Sequence, residues 1–136
     1  MIFLFYPDPT ECSQSVPLEK PTGPVRKEII SLTPKHKDLY LLVKDYLNKL
    51  LAMTDLSQEY QREVLFDLGG GLHEMRIPKT RRGGVFRIYF CYATDNPGIL
   101  VLLDAELKHQ KEPKKISSAQ GKMEDYKRWV EKGKLK

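Results

Sequence analysis

The feature that most constrains the fold is a change in apolar period midway along the chain. Leu39, Leu42, Val43, Tyr46, Leu47, Leu50 and Leu51 recur at spacings of three and four. That spacing lines one face of a helix for about three turns. From Leu72 onward the period is two or the apolar residues run together, so Leu72 to Ile77, Val85 to Ala93 and Ile99 to Leu103 read as strands. The last of these is nearly all apolar, as expected of a strand buried on both faces in the middle of a sheet. Lys79 to Gly84 and Asp95-Asn96-Pro97-Gly98 supply the turn chemistry between them.

The ends complete the pattern. Ile2 to Tyr6 reads as an edge strand, followed by a proline-rich loop from Pro7 to Pro24. Val25 to Leu32 suggests a short helix. Thr33 is placed to cap the long helix, with Pro34 at its first position. Asp55 and Gln58 resemble a capping box, after which Leu56, Tyr60, Val64 and Leu68 repeat on one side until Gly69 stops the helix. Ser117 or Ser118 can cap a final helix with Ile116, Ala119, Met123, Tyr126 and Val130 on its apolar side. The expectation is one α+β domain over residues 1–136, a small and mostly antiparallel sheet with an N-terminal helical hairpin, a C-terminal helix and a basic tail.

Composition narrows the function. The 136 residues carry a net charge of +5, unevenly spread: residues 1–75 hold 8 basic and 11 acidic side chains, and residues 76–136 hold 15 and 7. An electropositive second half suits a polyanionic partner such as nucleic acid, because clustered Lys and Arg displace phosphate counterions. The apolar start at Met1 to Tyr6 is cut at Pro7 and has no basic flank, so neither a leader nor a membrane span is expected, and the location expected is cytoplasmic. Cys12 and Cys91 are too few for a disulfide framework or a zinc site and read as reduced thiols. No cofactor or metal is expected.

Familiar motifs are absent or incomplete. Gly69-Gly70-Gly71 lacks the Gly-Lys-Ser/Thr of a phosphate-binding loop, and His73-Glu74 lacks a second histidine at zinc-helix spacing. Strand alternation is more informative. Phe86, Ile88, Phe90 and Tyr92 share one face, expected to pack on helices, while Arg87 and Tyr89 share the other, free to meet a ligand. His73, Met75 and Ile77 take the apolar face of the preceding strand, which makes His73 a packing residue and leaves Glu74 and Arg76 opposite. Arg76 and Arg87 would then converge on one concave surface, flanked by Lys79, Arg81 and Arg82, with no acidic residue between Arg76 and Arg87 in sequence. A structural ion pair with Glu74 is the alternative role for Arg76.

After the third strand come Lys108, His109, Lys111, Lys114 and Lys115, with Glu112 the sole acid. Metal-free RNA cleavage needs a base for the 2′-hydroxyl, an acid for the leaving 5′-oxygen and cations for the pentavalent phosphate. Arginine suits the cationic task because its planar donors grip phosphate oxygens in pairs. His109, the one histidine beside the basic run, is the candidate for proton transfer.

In their order these residues resemble the RelE/HigB toxins of bacterial type II toxin–antitoxin systems, most of all the phage-derived HigB-like branch. Gly71-Leu72-His73-Glu74-Met75-Arg76 matches that family's Gly-Leu-Tyr-Glu-Leu-Arg, and Phe86-Arg87-Ile88-Tyr89 its Tyr-Arg-Ile-hydrophobic strand. Leu107 to Pro113, Lys115-Ile116 and Ala119 resemble its Lys-Lys, Lys-Thr-Pro, Glu-Ile and Ala tract. Ser31-Leu32-Thr33-Pro34 resembles the approach to its helical hairpin. The resemblance implies a RelE-like fold and an endoribonuclease, an mRNA interferase that cuts mRNA in the ribosomal decoding site and is silenced by a cognate antitoxin, of the helix-turn-helix HigA-like kind. With no credible cluster of His, Cys, Asp or Glu ligands in the sequence, the cleavage is expected to be metal-independent. The resemblance also implies that Arg76 and Arg87 bind the scissile phosphate or stabilise its transition state and that Lys108 adds charge beside them. The residues' own chemistry adds His109 to these catalytic candidates, and the basic runs make Lys79, Arg81, Arg82, Lys111 and Lys114 the expected RNA contacts. Here His109 stands where relatives have a second Lys, Lys115 replaces Glu, and His73 replaces an aromatic. Two other readings stay open: a ParE-like inhibitor of DNA gyrase, and a non-catalytic module that binds nucleic acid or a protein partner.

Overall fold

The computed structural model describes residues 1–19, 22–108 and 115–133. In chain order the elements are β1 (Ile2–Phe5), β2 (Glu11–Cys12), α1 (Pro24–Ser31), α2 (Lys37–Leu51), α3 (Ser57–Gln61), β3 (Leu65–Gly69), β4 (Leu72–Ile77), β5 (Val85–Ala93), β6 (Asn96–Lys108) and α4 (Ile116–Glu131). The architecture is α+β, with a mixed six-stranded sheet in the order β2-β1-β6-β5-β4-β3. Every neighbouring pair is antiparallel except β1 and β6, which run parallel. As its apolar composition requires, β6 lies in the interior of the sheet.

Each face of the sheet has its own cover. Phe3, Phe5, Met75, Phe86, Ile88, Phe90, Leu100 and Leu102 pack with Val25 and Ile29 of α1 and Leu39, Val43, Leu47 and Leu50 of α2. On the reverse, Leu4, Leu72, Tyr89, Cys91, Val101 and Leu103 pack with Ala119, Met123 and Tyr126 of α4. The proline-rich loop is fastened to the body rather than loose where it is described. Arg26, 5% exposed, donates to Asp8 Oδ2 at 2.9 Å and Thr22 Oγ1 at 2.7 Å. Val16 and Leu18 from the loop enter the core.

Four expectations need correction. First, β1 is not an edge strand: the two-residue β2 pairs with its outer side. Second, the helix expected from Asp55 to Gly69 stops at Gln61. The Asp55 carboxylate instead accepts from the Ser57 backbone N–H and hydroxyl, both at 2.9 Å. The stop is a Schellman turn in which Val64 N–H donates to Glu59 O and Glu63 N–H to Tyr60 O, each 3.1 Å, with Glu63 at φ 60°. Residues 65–69 then pair with β4, leaving Leu68 exposed, so the second arm of the expected helical hairpin is one short turn.

The third correction concerns caps. α2 begins at Lys37, and the Thr33 hydroxyl donates back to Ile30 O at 2.9 Å. α4 begins at Ile116 with no side-chain cap, because Ser118 Oγ donates instead to the buried Asp104 carboxylate at 2.8 Å. Fourth, the face of β5 expected to meet ligand is largely covered. α4 buries Tyr89 and Cys91, and only the Arg87 end is partly open.

One irregularity in β6 decides which of its charges share a face. Tyr89 faces Asp104 across the ladder but Phe90 faces Leu102, so Leu103 is an extra residue in the strand. Before this bulge the even positions Leu100 and Leu102 lie in the α1/α2 core. After it Ala105, an odd position, takes that role and Leu107 packs against it. Asp104, Glu106 and Lys108 are thereby turned to the reverse face, opposite Tyr89, Arg87 and Val85 respectively.

Candidate nucleic-acid interface

The site grows from three adjacent strands. Arg76 of β4 and Arg87 of β5 are direct cross-strand partners, and Arg87 faces Glu106 of β6 on its other side. Alternation sends all three side chains to the α4 face, together with Glu74, Tyr89, Asp104 and Lys108. Like charges directly opposite one another across a ladder repel. Glu74 resolves that repulsion: it is 1% exposed, and its Oε1 accepts from Arg76 Nε at 2.5 Å and from Arg87 Nη1 at 3.1 Å. The Arg76 guanidinium also lies 3.9 Å over the Phe66 ring from β3.

The remainder of the cluster ties β6 to α4. Glu106 Oε2 accepts from Tyr89 Oη at 2.8 Å and from the Lys115 backbone N–H at 2.9 Å. Burial raises the Tyr89 pKa well above its ordinary value, and donation to Glu106 raises it further, so the phenol stays protonated. Asp104 accepts from Lys122 Nζ at 2.7 Å, Ser118 Oγ at 2.8 Å and the Ala105 N–H at 2.9 Å. Burial alone would raise the Asp104 pKa, but these bonds outweigh it and leave the carboxyl below its usual range. Lys115 Nζ reaches Glu28 of α1 at 3.0 Å, closing the end of the sheet between both layers.

The expected residues are brought together unequally. Arg76 and Arg87 converge as the alternation requires, but on a shared carboxylate, so Arg76 does form the ion pair with Glu74. Lys108 ends β6 on the same face, 7% exposed, and among the described residues makes no ion pair or hydrogen bond. Lys79 pairs with Glu63 at 3.3 Å. Arg81 grips both carboxylate oxygens of Asp38 at 3.0 and 3.2 Å, tacking the β4–β5 turn to the start of α2. Arg82 is exposed and, among the described residues, unpaired. His109, Lys111 and Lys114 lie outside the described residues. The basic run from Arg76 to Arg87 is therefore not one patch, since acids outside that segment meet four of its members.

Sequence reasoning missed a second basic feature. Beside α2 lies an open groove of about 460 Å³ with Leu42, Tyr46 and Val64 in its lining and the cations Lys49, Arg62, Arg76 and Lys79 among them. Lys49 sits on the helix outside the apolar stripe and Arg62 in the turn that ends α3, so no local signal joined them to Arg76. His73 is a packing residue, as its facing implied: it stacks on Phe90 and its Nδ1 lies 2.9 Å from Tyr60 Oη. Burial lowers its pKa.

Among the described residues no group of three or more His, Cys, Asp or Glu side chains is arranged to hold a metal ion, and no helix is long and apolar enough to cross a membrane. Compared with known proteins, the chain matches no protein-family model and no curated protein sequence.

Proposed function

We propose that this chain is the toxin of a type II toxin–antitoxin pair, a ribosome-dependent mRNA endoribonuclease of the RelE/HigB kind that acts in the cytoplasm and is silenced by a cognate antitoxin. The observation that carries the reading is the pairing of Arg76 with Arg87 across β4 and β5, with Lys108 on the same face at the end of the central strand. Two guanidiniums on directly paired positions of neighbouring strands suit a phosphate whose negative charge increases as the 2′-oxygen attacks. The α+β architecture, a mostly antiparallel sheet followed by a C-terminal helix, also supports the RelE-like reading of the sequence motifs.

The chemistry requires no activated water. The 2′-oxygen bonds to phosphorus, the bond to the 5′-oxygen breaks, and the products are a 2′,3′-cyclic phosphate and a 5′-hydroxyl. Arg76, Arg87 and Lys108 offset charge on the equatorial oxygens. In this reading His109 exchanges protons with the 2′- or 5′-oxygen, while Arg82, Lys79, Arg81, Lys111 and Lys114 supply RNA contacts. Cleavage should persist in EDTA when ribosomes are kept intact by a separate control.

A second reading, a non-catalytic module that binds nucleic acid or a protein partner, draws support from the 14% exposure of the Arg87 side chain and its existing bond to Glu74. One experiment separates the two. Induced expression, followed by mapping of mRNA 5′ ends with and without translation, should reveal new ends only when messages are translated. Growth arrest without new ends would leave binding as the activity.

A further inference from the structure

Resting on the ribonuclease reading, we propose that Glu74 is the positioning residue of this site: one buried carboxylate oxygen sets the direction of both guanidiniums and leaves the terminal nitrogens of Arg76 and the Nη2 of Arg87 to the phosphate. The residue cannot meet RNA itself, because it is 1% exposed. It acts through its partners, and the way each is held is informative. Arg76 is bound through Nε, and its guanidinium is stacked on Phe66 at 3.9 Å, so its plane is fixed while both terminal nitrogens donate to nothing else among the described residues. Among the described residues Arg87 is bound through Nη1 alone, and its buried Nε has no partner there.

The charge balance points the same way. Without Glu74, two cations that are direct cross-strand neighbours would repel and swing apart, each toward solvent. With it, the pair keeps a surplus of one positive charge and a defined separation. A phosphate arriving at the open side of Arg76, whose side chain is 33% exposed, meets donors already oriented. Preorganisation of this kind favours the transition state over mere attachment of RNA, which charge alone can supply.

Glu74→Gln keeps the shape and removes the charge, and three measurements on the full chain decide its role. Binding of a fluorescent RNA oligonucleotide should hold or tighten, since the cluster gains a net positive charge, and KM on programmed ribosomes should not rise. The kcat per folded molecule should fall on the order of a hundredfold, the loss typical of misplaced groups. The Nε–H resonance of Arg76 in ¹⁵N spectra should move toward that of a mobile arginine. Glu74→Asp, which keeps the charge but withdraws it by one methylene, should give the same split in milder form and serves if the glutamine variant folds poorly. Unchanged kcat in the folded variants, or an unmoved arginine resonance, overturns the proposal. Should the wild type cleave no RNA, the ribonuclease reading falls, while the resonance and binding measurements still decide whether Glu74 orients the pair.

Discussion

Beneath α1 and α2 the sheet presents Phe3, Phe5, Met75, Phe86, Ile88 and Phe90, an apolar surface with no gap from β1 to β4. Beneath α4 the same strands present Leu72, Tyr89 and Cys91 at one end and Glu74, Arg76, Arg87, Asp104, Glu106 and Lys108 at the other. The first face is held by removal of apolar area from water, which is non-directional and tolerant of small shifts. The second is held by directed bonds to buried charges, each costly if left unpaired. A single sheet therefore separates its tasks by face: one side stabilises the fold, and the other holds a charged array in a defined geometry at some cost in stability.

Breaking the apolar face should have the larger effect on stability. Phe90→Ala removes a ring that is 0% exposed, and should lower unfolding free energy by about 3–5 kcal/mol, read as a fall in the urea midpoint with the slope unchanged. Arg87→Ala should be milder for stability, about 1–3 kcal/mol, because Glu74 keeps Arg76 as a partner. The same change should abolish RNA cleavage at equal soluble abundance. If Arg87→Ala instead cleaves normally, or unfolds as fully as Phe90→Ala, the division between the faces fails.

A pH series sharpens the contrast. Asp104 has a lowered pKa in the folded protein, so its contribution is present above the ordinary carboxyl value near 4 and is lost as pH falls below it. Asp104→Asn should flatten the acid limb of a plot of stability against pH, with a loss of about 1–2 kcal/mol at pH 7. Phe90→Ala should shift that plot downward without changing its shape. Identical limbs in wild type and Asp104→Asn would mean that the Lys122 and Ser118 bonds stabilise nothing.

The smallest expected effect is a gain. Glu63 holds φ at 60°, a region costing a side-chain-bearing residue about 1–2 kcal/mol, against about 0.4–1 kcal/mol for the extra freedom of glycine in the unfolded chain. Glu63→Gly should therefore raise stability by about 0.5–1 kcal/mol, seen as a small rise in melting temperature. A loss instead would assign more weight to the exposed Lys79–Glu63 pair than surface pairs usually carry.

Local signals were readable in the sequence. The α2 stripe, the strands at Leu72 to Ile77 and Val85 to Ala93 and the final helix come from a period that each segment carries within itself, and the interior place of β6 from its unbroken apolar run. The reading of residues 57–69 failed for an equally physical reason. Leu56, Tyr60, Val64 and Leu68 keep a helical spacing, yet the chain turns at Glu63, a residue with no local signature for a left-handed conformation. Pairing with β4 then outweighed helix propensity.

The candidate site divides along the same line. That Glu74, Arg76 and Arg87 share a face was in the alternation of β4 and β5, because a strand's side-chain period is a property of its own backbone. Three further facts belong to tertiary structure. The bulge at Leu103 moved Asp104, Glu106 and Lys108 onto that face, although the passage from Leu100 and Leu102 to Ala105 and Leu107 left a faint mark in the sequence. Asp38 and Glu63 came from other elements to bind Arg81 and Lys79, dispersing a basic run that looked continuous. Glu74 took both arginines at once. Sequence determines which side of an element a charge occupies. Which opposite charge meets it depends on distances between segments that only the folded chain brings together, because Coulomb attraction falls with separation in space and not along the chain.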